Sequence, residues 1–311
     1  MHCQSLEQVD KRFLQRILFI FGIISIIPGM VHPLIFDSIS VLLLTGFVIG
    51  TVGTLIGAGG GFILVPLLLL THPQFSPEIV TAVSIVIVAA NAVSGSVAYS
   101  RSGRIDYRAG ILFALFTVPG SILGVYTTKY IPYSVFNIIF GILLLSLSAF
   151  LLFKKGEPGY SQKERTGNSK GQRFNVLTDK ENTTYRYTYN AYTGAAISVI
   201  VGYLSPLLGI GGGIIHVPAM VHLLCFPVYI ATATSHFILA VMATVSVIVH
   251  ALQGNYNDPY ILRMVIWLCI GVVFGAQLGA WLSHKIKGTV IVKALAVCLA
   301  IVSVRLLWGI M

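Results

Sequence analysis

Long apolar segments separated by short polar ones dominate the chain. The apolar segments cover residues 17–35, 40–71, 78–100, 109–129, 133–153, 191–224, 228–252, 261–283 and 289–308. An apolar stretch of about 18 residues or more is long enough to form a transmembrane helix. The pattern therefore predicts an all-α polytopic membrane protein in which the polar stretch 154–190 separates two sets of helices.

Two of these segments are too long for a single straight crossing, and each contains a cluster of glycines. As one helix, residues 40–71 would measure on the order of 50 Å, whereas the hydrocarbon core of a bilayer is about 30 Å thick. The clusters lie at 57–61 and 209–213. Irregular backbone at membrane depth is tolerated only where it is buried in protein or lines a cavity. We expect a helix, a glycine-rich turn inside the membrane, and a half-helix that starts near Phe62 or Ile214 and returns to its original face.

The two sets of segments repeat each other. Thr81-Ala-Val-Ser84 recurs as Thr232-Ala-Thr-Ser235, and Gly120-Ser-Ile-Leu-Gly124 recurs as Gly275-Ala-Gln-Leu-Gly279. Internal duplication is common in transporters, where the substrate lies at the interface between the repeats.

This repetition divides the chain into four parts. Residues 38–153 and 191–311 are two homologous repeats, each with a glycine-broken segment and about three full spans. Residues 1–37 are a basic N-terminal segment with one extra transmembrane helix, because the stretch resembles a signal peptide in charge order but lacks a small-residue cleavage site. Residues 154–190 are too polar to bury a core and are expected to form a cytoplasmic linker or a partly ordered surface loop.

The basic residues indicate how the repeats are oriented. The formal net charge is +10, and lysine and arginine concentrate between apolar segments, in 101–108, 154–186 and 284–287. This distribution is typical of cytoplasmic loops rather than of a nucleic-acid surface. If each broken segment returns to the face it came from, these loops and the N-terminus all lie inside, and the repeats are inverted. If each broken segment crossed once, the basic N-terminus would lie outside.

Composition excludes a soluble globular domain. The chain is 56% hydrophobic and 10% charged, with a mean hydropathy of +0.87. The four cysteines, Cys3, Cys225, Cys269 and Cys298, are scattered singly, without the paired spacing of a disulfide or metal site. We interpret them as small apolar residues, and we expect no metal and no cofactor.

The glycine clusters are suited to an anion. Half-helices that begin at Phe62 and Ile214 would direct their N-terminal amides towards the middle of the membrane, where each helix dipole acts like about half a unit of positive charge. Two of them could hold a small anion without a buried lysine. The candidate substrate-binding residues come from the clusters and from polar positions in the following segments: Gly57, Gly59, Gly60, Gly61, Phe62, Thr81, Ser84, Asn91, Gly209, Gly211, Gly212, Gly213, Ile214, Thr232, Thr234 and Ser235.

These residue types also have structural roles. Glycines permit close helix packing, which is the interpretation we favour for the pairs Gly120/Gly124 and Gly275/Gly279. Serine and threonine hydroxyls commonly bond to helix carbonyls. Asn91 is as well suited to a bond between helices as to substrate contact. His216 and His236 are candidates for coupling a proton to anion movement, although a lone histidine in an apolar helix is more often structural.

The chain resembles the TauE/SafE sulfite exporter family. The resemblance rests on the two clusters, each followed by a proline at Pro66 or Pro218, and continues through Ala82-Val83-Ser84, the Arg101–Arg104 turn and Gly120–Gly124. It implies a multi-pass permease, in the inner membrane of a bacterium, for sulfite, sulfoacetate or a related sulfur-containing anion. The second repeat departs from the family pattern at its turn, which reads Gly254-Asn255-Tyr256.

Two other classes of function stay open at the sequence level. An anion channel would share the broken helices but would be expected to carry a continuous polar lining. An intramembrane enzyme would need a nucleophile with a base or a metal cluster, and the sequence has neither HExxH nor GxSxG. The expected partners are therefore a small anion and the lipid bilayer. The sequence does not indicate an oligomeric state.

Overall fold

A computed structural model describes residues 38–153 and 171–283, together with helical residues 296–297, 299–301 and 303–304. The extra helix predicted at 17–35 and the basic loop 284–287 lie outside the described residues.

The described ranges are mainly helical, and the helices follow the apolar segments closely. Seven helices are long and apolar enough to cross a membrane, and two shorter apolar helices follow the glycine clusters. This confirms an all-α polytopic membrane protein. The elements are α1 (Ile39–Ile56), α2 (Gly61–Thr71), α3 (Pro77–Ser102), α4 (Tyr107–Thr128), α5 (Tyr133–Phe153), β1 (Gln172–Thr178), β2 (Thr184–Asn190), α6 (Ala191–Leu208), α7 (Gly213–His222), α8 (Val228–Leu252) and α9 (Pro259–Ser283).

Both glycine clusters interrupt the helix at the predicted places. Helix α1 ends at Gly57 with φ +81°, and the residue before α2, Gly60, has φ +85°. In the second half Gly209 has φ +66° and Gly212 has φ +28°. Residues other than glycine rarely adopt a backbone conformation with positive φ. Each half-helix begins one residue earlier than the sequence suggested, at Gly61 and Gly213.

The polar stretch between the halves differs from the expected linker or partly ordered loop, because its second part is an antiparallel hairpin. Strands β1 and β2 pair from Gln172 opposite Asn190 to Thr178 opposite Thr184. Tyr185, Tyr187 and Tyr189 alternate along β2 with more exposed residues, and the last two contact Phe226. Average composition conceals this alternation, which provides the apolar face a hairpin needs.

Helices of one half pack on helices of the other. The central helices α3 and α8 run antiparallel, since Tyr99 near the end of α3 contacts His236 near the start of α8, and Glu78 at the start of α3 accepts a hydrogen bond from Asn255 beyond the end of α8. An inverted repeat predicts this arrangement of equivalent helices. Its orientation relative to the membrane remains a prediction.

Close helix pairs flank this centre. Helix α1 runs parallel to α9 and α4 runs parallel to α6, with glycines at the contacts. A Cβ on Gly120 would lie 2.6 Å from the Val199 carbonyl oxygen, and one on Gly275 would overlap the Phe47 carbonyl. The packing role assigned to these glycines is thereby confirmed. Large apolar side chains such as Leu115, Leu123 and Phe274 are exposed on the helices, as lipid contact requires.

Candidate anion-binding site

The two glycine breaks meet each other at the centre of the protein. A Cβ added to Gly61 would overlap the carbonyl oxygen of Gly209, and one added to Gly213 would overlap that of Gly57. Val88, near the middle of α3, lies beside both breaks. A Cβ added to Gly59 would lie 3.0 Å from Val88 Cγ1, and a Cβ added to Gly211 would lie 2.5 Å from the same atom. The breaks therefore lie at about the mid-length of the central helices, and only glycine allows the two backbones to approach so closely.

The repeated serines connect each break to the opposite half. The Ser84 hydroxyl donates to the Gly209 carbonyl oxygen at 2.6 Å, and the Ser235 hydroxyl donates to the Gly57 carbonyl oxygen at 3.5 Å. These bonds run in both directions between the same two elements, so each half positions the other's glycine cluster.

The three candidate threonines make other bonds. Thr81 and Thr232 donate to the carbonyls of Glu78 and Val228 in their own helices. The hydroxyl of Thr234 accepts a hydrogen bond from the Asp106 amide at 3.0 Å. The structure therefore brings Ser84 and Ser235 to the breaks as hydrogen-bonding groups, whereas the threonine hydroxyls serve the helices and the α3–α4 turn.

Asn91 lies at the first break with an unused donor. It is fully buried, and its Oδ1 accepts from the Thr54 hydroxyl at 2.5 Å. Among the described residues its Nδ2 has no hydrogen-bond partner. Nδ2 and the amide nitrogen of Gly60 each lie 2.6 Å from the point where a Cβ would stand on Gly53. Since leaving a buried donor unpaired costs about 1–3 kcal/mol, such a group calls for an explanation.

The N-terminus of α2 presents further donors at the same place. The amides of Gly60, Gly61 and Phe62 donate to no group in the described part of the chain. In the second half the corresponding amides of Gly212 and Gly213 donate to the Ser205 hydroxyl and to the Gly211 carbonyl. Of these three amides in the second half, only that of Ile214, which corresponds to Phe62, has no acceptor among the residues that the structure describes.

The two candidate histidines occupy different environments. His236 is fully buried next to the first break, and its Nε2 has no hydrogen-bond partner in the described ranges. Gly95 lies one helical turn after Asn91, and a Cβ added to Gly95 would lie 3.0 Å from His236 Nε2. His216 lies in the second half, where its Nε2 is 3.1 Å from the Ser198 hydroxyl. Of the two, only His236 is near the unpaired donors of Asn91 and Gly60.

A polar junction that the sequence did not indicate joins the hairpin to the helices. Asp106 is buried, and its carboxylate accepts from Asn175 Nδ2 at 2.7 Å, from the Tyr187 hydroxyl at 2.8 Å and from the Ala109 amide at 3.1 Å. Burial and the Asp106 carboxylate raise the pKa of Tyr187, so its hydroxyl remains a donor. Through its own amide, Asp106 contacts Thr234, next to Ser235.

A buried ion pair fixes the same turn. Arg104 pairs with Asp179 at 3.2 Å and with Glu181 at 3.3 Å, and its guanidinium carbon lies 5.3 Å from the centre of the Tyr229 ring. Burial alone would raise the pKa of Asp179, but hydrogen bonds from the Thr183 amide, Arg104 and the Glu181 amide lower it overall. The hairpin is therefore anchored by charge as well as by its tyrosines.

Comparison with known proteins gives consistent matches. A family model described as "Sulfite exporter TauE/SafE" matches residues 42–306. A probable membrane transporter protein of Bacillus subtilis, YunE, is 32% identical over 278 residues, covering 87% of this chain and 98% of its own length. A probable membrane transporter protein of Methanocaldococcus jannaschii is 23% identical over 257 residues, covering 79% and 86%. No solved structure matches the chain.

Proposed function

Because the chain belongs to the TauE/SafE sulfite exporter family and is a multi-pass membrane transporter rather than an enzyme, we propose that it carries a small sulfur-containing anion through a site between its two glycine breaks. Sulfite, sulfoacetate and related organosulfonates are the proposed substrates. The family description supports this class of anion.

The observation that carries the proposal is the group of unpaired, buried donors at the first break. Asn91 Nδ2 and the amides of Gly60, Gly61 and Phe62 have no acceptor among the described residues. A helix N-terminus also favours negative charge. An anion bound there would accept these hydrogen bonds, which explains why a membrane protein retains them.

The site would bind without a cationic side chain. Among the described residues the one buried arginine is Arg104, which is paired with Asp179 at the hairpin, away from the breaks. Amides and a helix dipole stabilise negative charge less than a full cation does, so the bound anion can be released. A carrier needs this balance between binding and release.

The repeats provide a way to alternate access. The two breaks contact each other, and the serines of the central helices hold them by two hydrogen bonds between the halves. In inverted-repeat transporters one repeat moves against the other around a site at the bilayer midplane. We propose the same motion here, with a cytoplasmic N-terminus and linker.

Proton coupling through His236 is part of the proposal. Its buried ring lies against Gly95 and Tyr99, next to the first break. A proton on this ring would offset the charge of an anion moving through the site. His236→Gln should then preserve substrate exchange and abolish accumulation driven by a pH gradient. Gradient-driven accumulation equal to that of the wild type would remove His236 from the mechanism.

The test of function is uptake into liposomes that contain the purified protein. We expect saturable uptake of labelled sulfite or sulfoacetate, and acceleration by the same unlabelled anion inside the vesicle. Flux that rises linearly with concentration, without this counterflow, would instead indicate a channel. Protein-dependent uptake of neither anion would contradict the substrate class.

A further inference from the structure

The two glycine breaks are similar in backbone at their first two left-handed glycines, but they differ at Gly60 (φ +85°) and Gly212 (φ +28°) and in the side chain that faces them. Gly53 and Ser205 each lie four residues before the first glycine of a cluster. Their carbonyls perform the same task, since Gly53 accepts from the Ala58 amide at 2.8 Å and Ser205 accepts from the Ile210 amide at 3.2 Å. The two positions are therefore equivalent in the two halves.

In the second half, the side chain at this equivalent position occupies the amide of the break, and we call this break closed. The Ser205 hydroxyl accepts from the Gly212 amide at 2.5 Å. In the first half glycine stands in its place, and a Cβ on Gly53 would already lie 2.6 Å from the Gly60 nitrogen. With no side chain at this position, the Gly60 amide has no acceptor within residues 38–153 and 171–283.

A second donor lies at the open break and has no counterpart at the closed one. Asn91 Nδ2 lies 2.6 Å from the same Cβ position on Gly53. The repeat places Met242 at the corresponding point of the second half, because Thr81 corresponds to Thr232 and both residues lie ten positions further on. Methionine has no N–H to donate.

We propose that the anion is bound at the first break alone, by the Gly60 amide and Asn91 Nδ2, and that Ser205 acts as an internal substitute for the anion at the second break. This inference rests on the proposed transport function and makes its site one-sided. The donors are neutral and few, so the ligand is a compact oxyanion such as a sulfite or sulfonate group. Thr54 holds Oδ1 of Asn91 and so orients Nδ2.

The test compares matched substitutions in the two halves. Asn91→Asp keeps the shape and the acceptor for Thr54 but replaces the donor by an oxygen, and it adds negative charge when the carboxyl group is ionised. We expect it to weaken sulfite binding by at least about 10- to 100-fold, because losing one hydrogen bond to a charged group has this effect and the carboxylate also repels the anion. Ser205→Ala removes the hydroxyl from the second break, and its sulfite affinity should stay within about twofold of the wild type, because no ligand binds there.

Affinity is measured on monodisperse protein in detergent by titration calorimetry with sulfite and, separately, with sulfoacetate. Asn91→Ala serves as a second variant if Asn91→Asp fails to fold, and Met242→Ala controls for loss of a side chain at the equivalent position. Wild-type affinity in a folded Asn91 variant, or an equal loss in Ser205→Ala, would overturn the one-sided site while leaving transport intact. If the wild type binds neither anion, the proposed function and this inference fail together.

Discussion

The two glycine breaks have similar backbone conformations at Gly57 and Gly209 and at Gly59 and Gly211, but they differ at Gly60 (φ +85°) and Gly212 (φ +28°) and in their partners. Each follows a helix that ends in a left-handed glycine, each is held by a serine of the opposite central helix, and each lies against the other. Yet the Gly212 amide of the second break donates to Ser205, whereas at the first break the Gly60 amide and Asn91 Nδ2 have no acceptor in the part of the chain that the structure describes. We infer that the binding function is concentrated at the first break.

The turns that follow the two central helices also differ in their contacts. The α3–α4 turn contacts the start of α8 through Arg104 and Tyr229, and the α8–α9 turn contacts the start of α3 through Asn255 and Glu78. The first turn is also bound by the hairpin, through an ion pair and the Asp106 junction. The inverted model assigns these turns to opposite faces of the membrane.

The largest expected effect is on labelling of the two faces. Lys180 in the hairpin turn and Asn257 in the α8–α9 turn are both exposed. In a background without native cysteines, an impermeant maleimide applied to intact cells should label Asn257→Cys fully. It should label Lys180→Cys only after the membrane is made permeable. Labelling of Lys180→Cys from outside would contradict the inverted model.

Removing the side chain that anchors each turn should lower the free energy of unfolding by different amounts at the two turns. Arg104→Ala leaves the buried Asp179 carboxylate without its partner, so we expect a loss of about 3 kcal/mol in the free energy of unfolding. Asn255→Ala breaks a neutral donor's bonds at the other turn and should cost about 1 kcal/mol. Thermal unfolding in detergent measures both, and equal losses would show that the ion pair adds nothing to the hairpin anchor.

This anchor should also depend on pH. The pKa of Asp179 is lowered in the folded protein, so its stabilisation is fully present above the ordinary aspartate pKa of about 3.9 and is lost as the pH falls through the lowered value. The difference between wild type and Arg104→Ala should therefore be constant near neutral pH and shrink in acid.

A smaller effect is expected at the breaks themselves. A Cβ on Gly60 would lie 2.6 Å from Ile49 Cγ2 and 3.0 Å from the Ile49 carbonyl oxygen, whereas on Gly212 its nearest neighbour is Val201 Cγ1 at 3.0 Å. Alanine is strained at both positions because φ is positive, which costs about 1 kcal/mol or more in the free energy of unfolding. Because the added Cβ also has closer neighbours at Gly60, Gly60→Ala should be the less stable variant. Gly103→Ala, with φ +71° in the α3–α4 turn and an added Cβ at least 3.7 Å from its neighbours, is the control for strain alone. A Gly212→Ala protein less stable than Gly60→Ala would reverse the comparison.

The sequence was sufficient for the helices and for the position of the breaks, because long apolar segments and consecutive glycines have few alternatives in a membrane. It was also sufficient to single out Asn91 and Ser84 as polar residues at depth. It did not reveal Gly53, Ser205 or Thr54, because their importance depends on how the chain folds back over the break. The Asp106 junction was missed for the same reason, since its partners come from four separate elements.

The proposed mechanism requires an anion bound at mid-depth, beside the first break. Selenite has the shape and charge of sulfite and an anomalous X-ray signal, so crystals of the protein grown with selenite would locate it directly. We expect one selenium peak beside Asn91 Nδ2 and the Gly60 amide, absent from crystals of Asn91→Asp. A peak beside Ser205 and Gly212, or one outside the two breaks altogether, would show that the anion is not bound by Asn91 and Gly60.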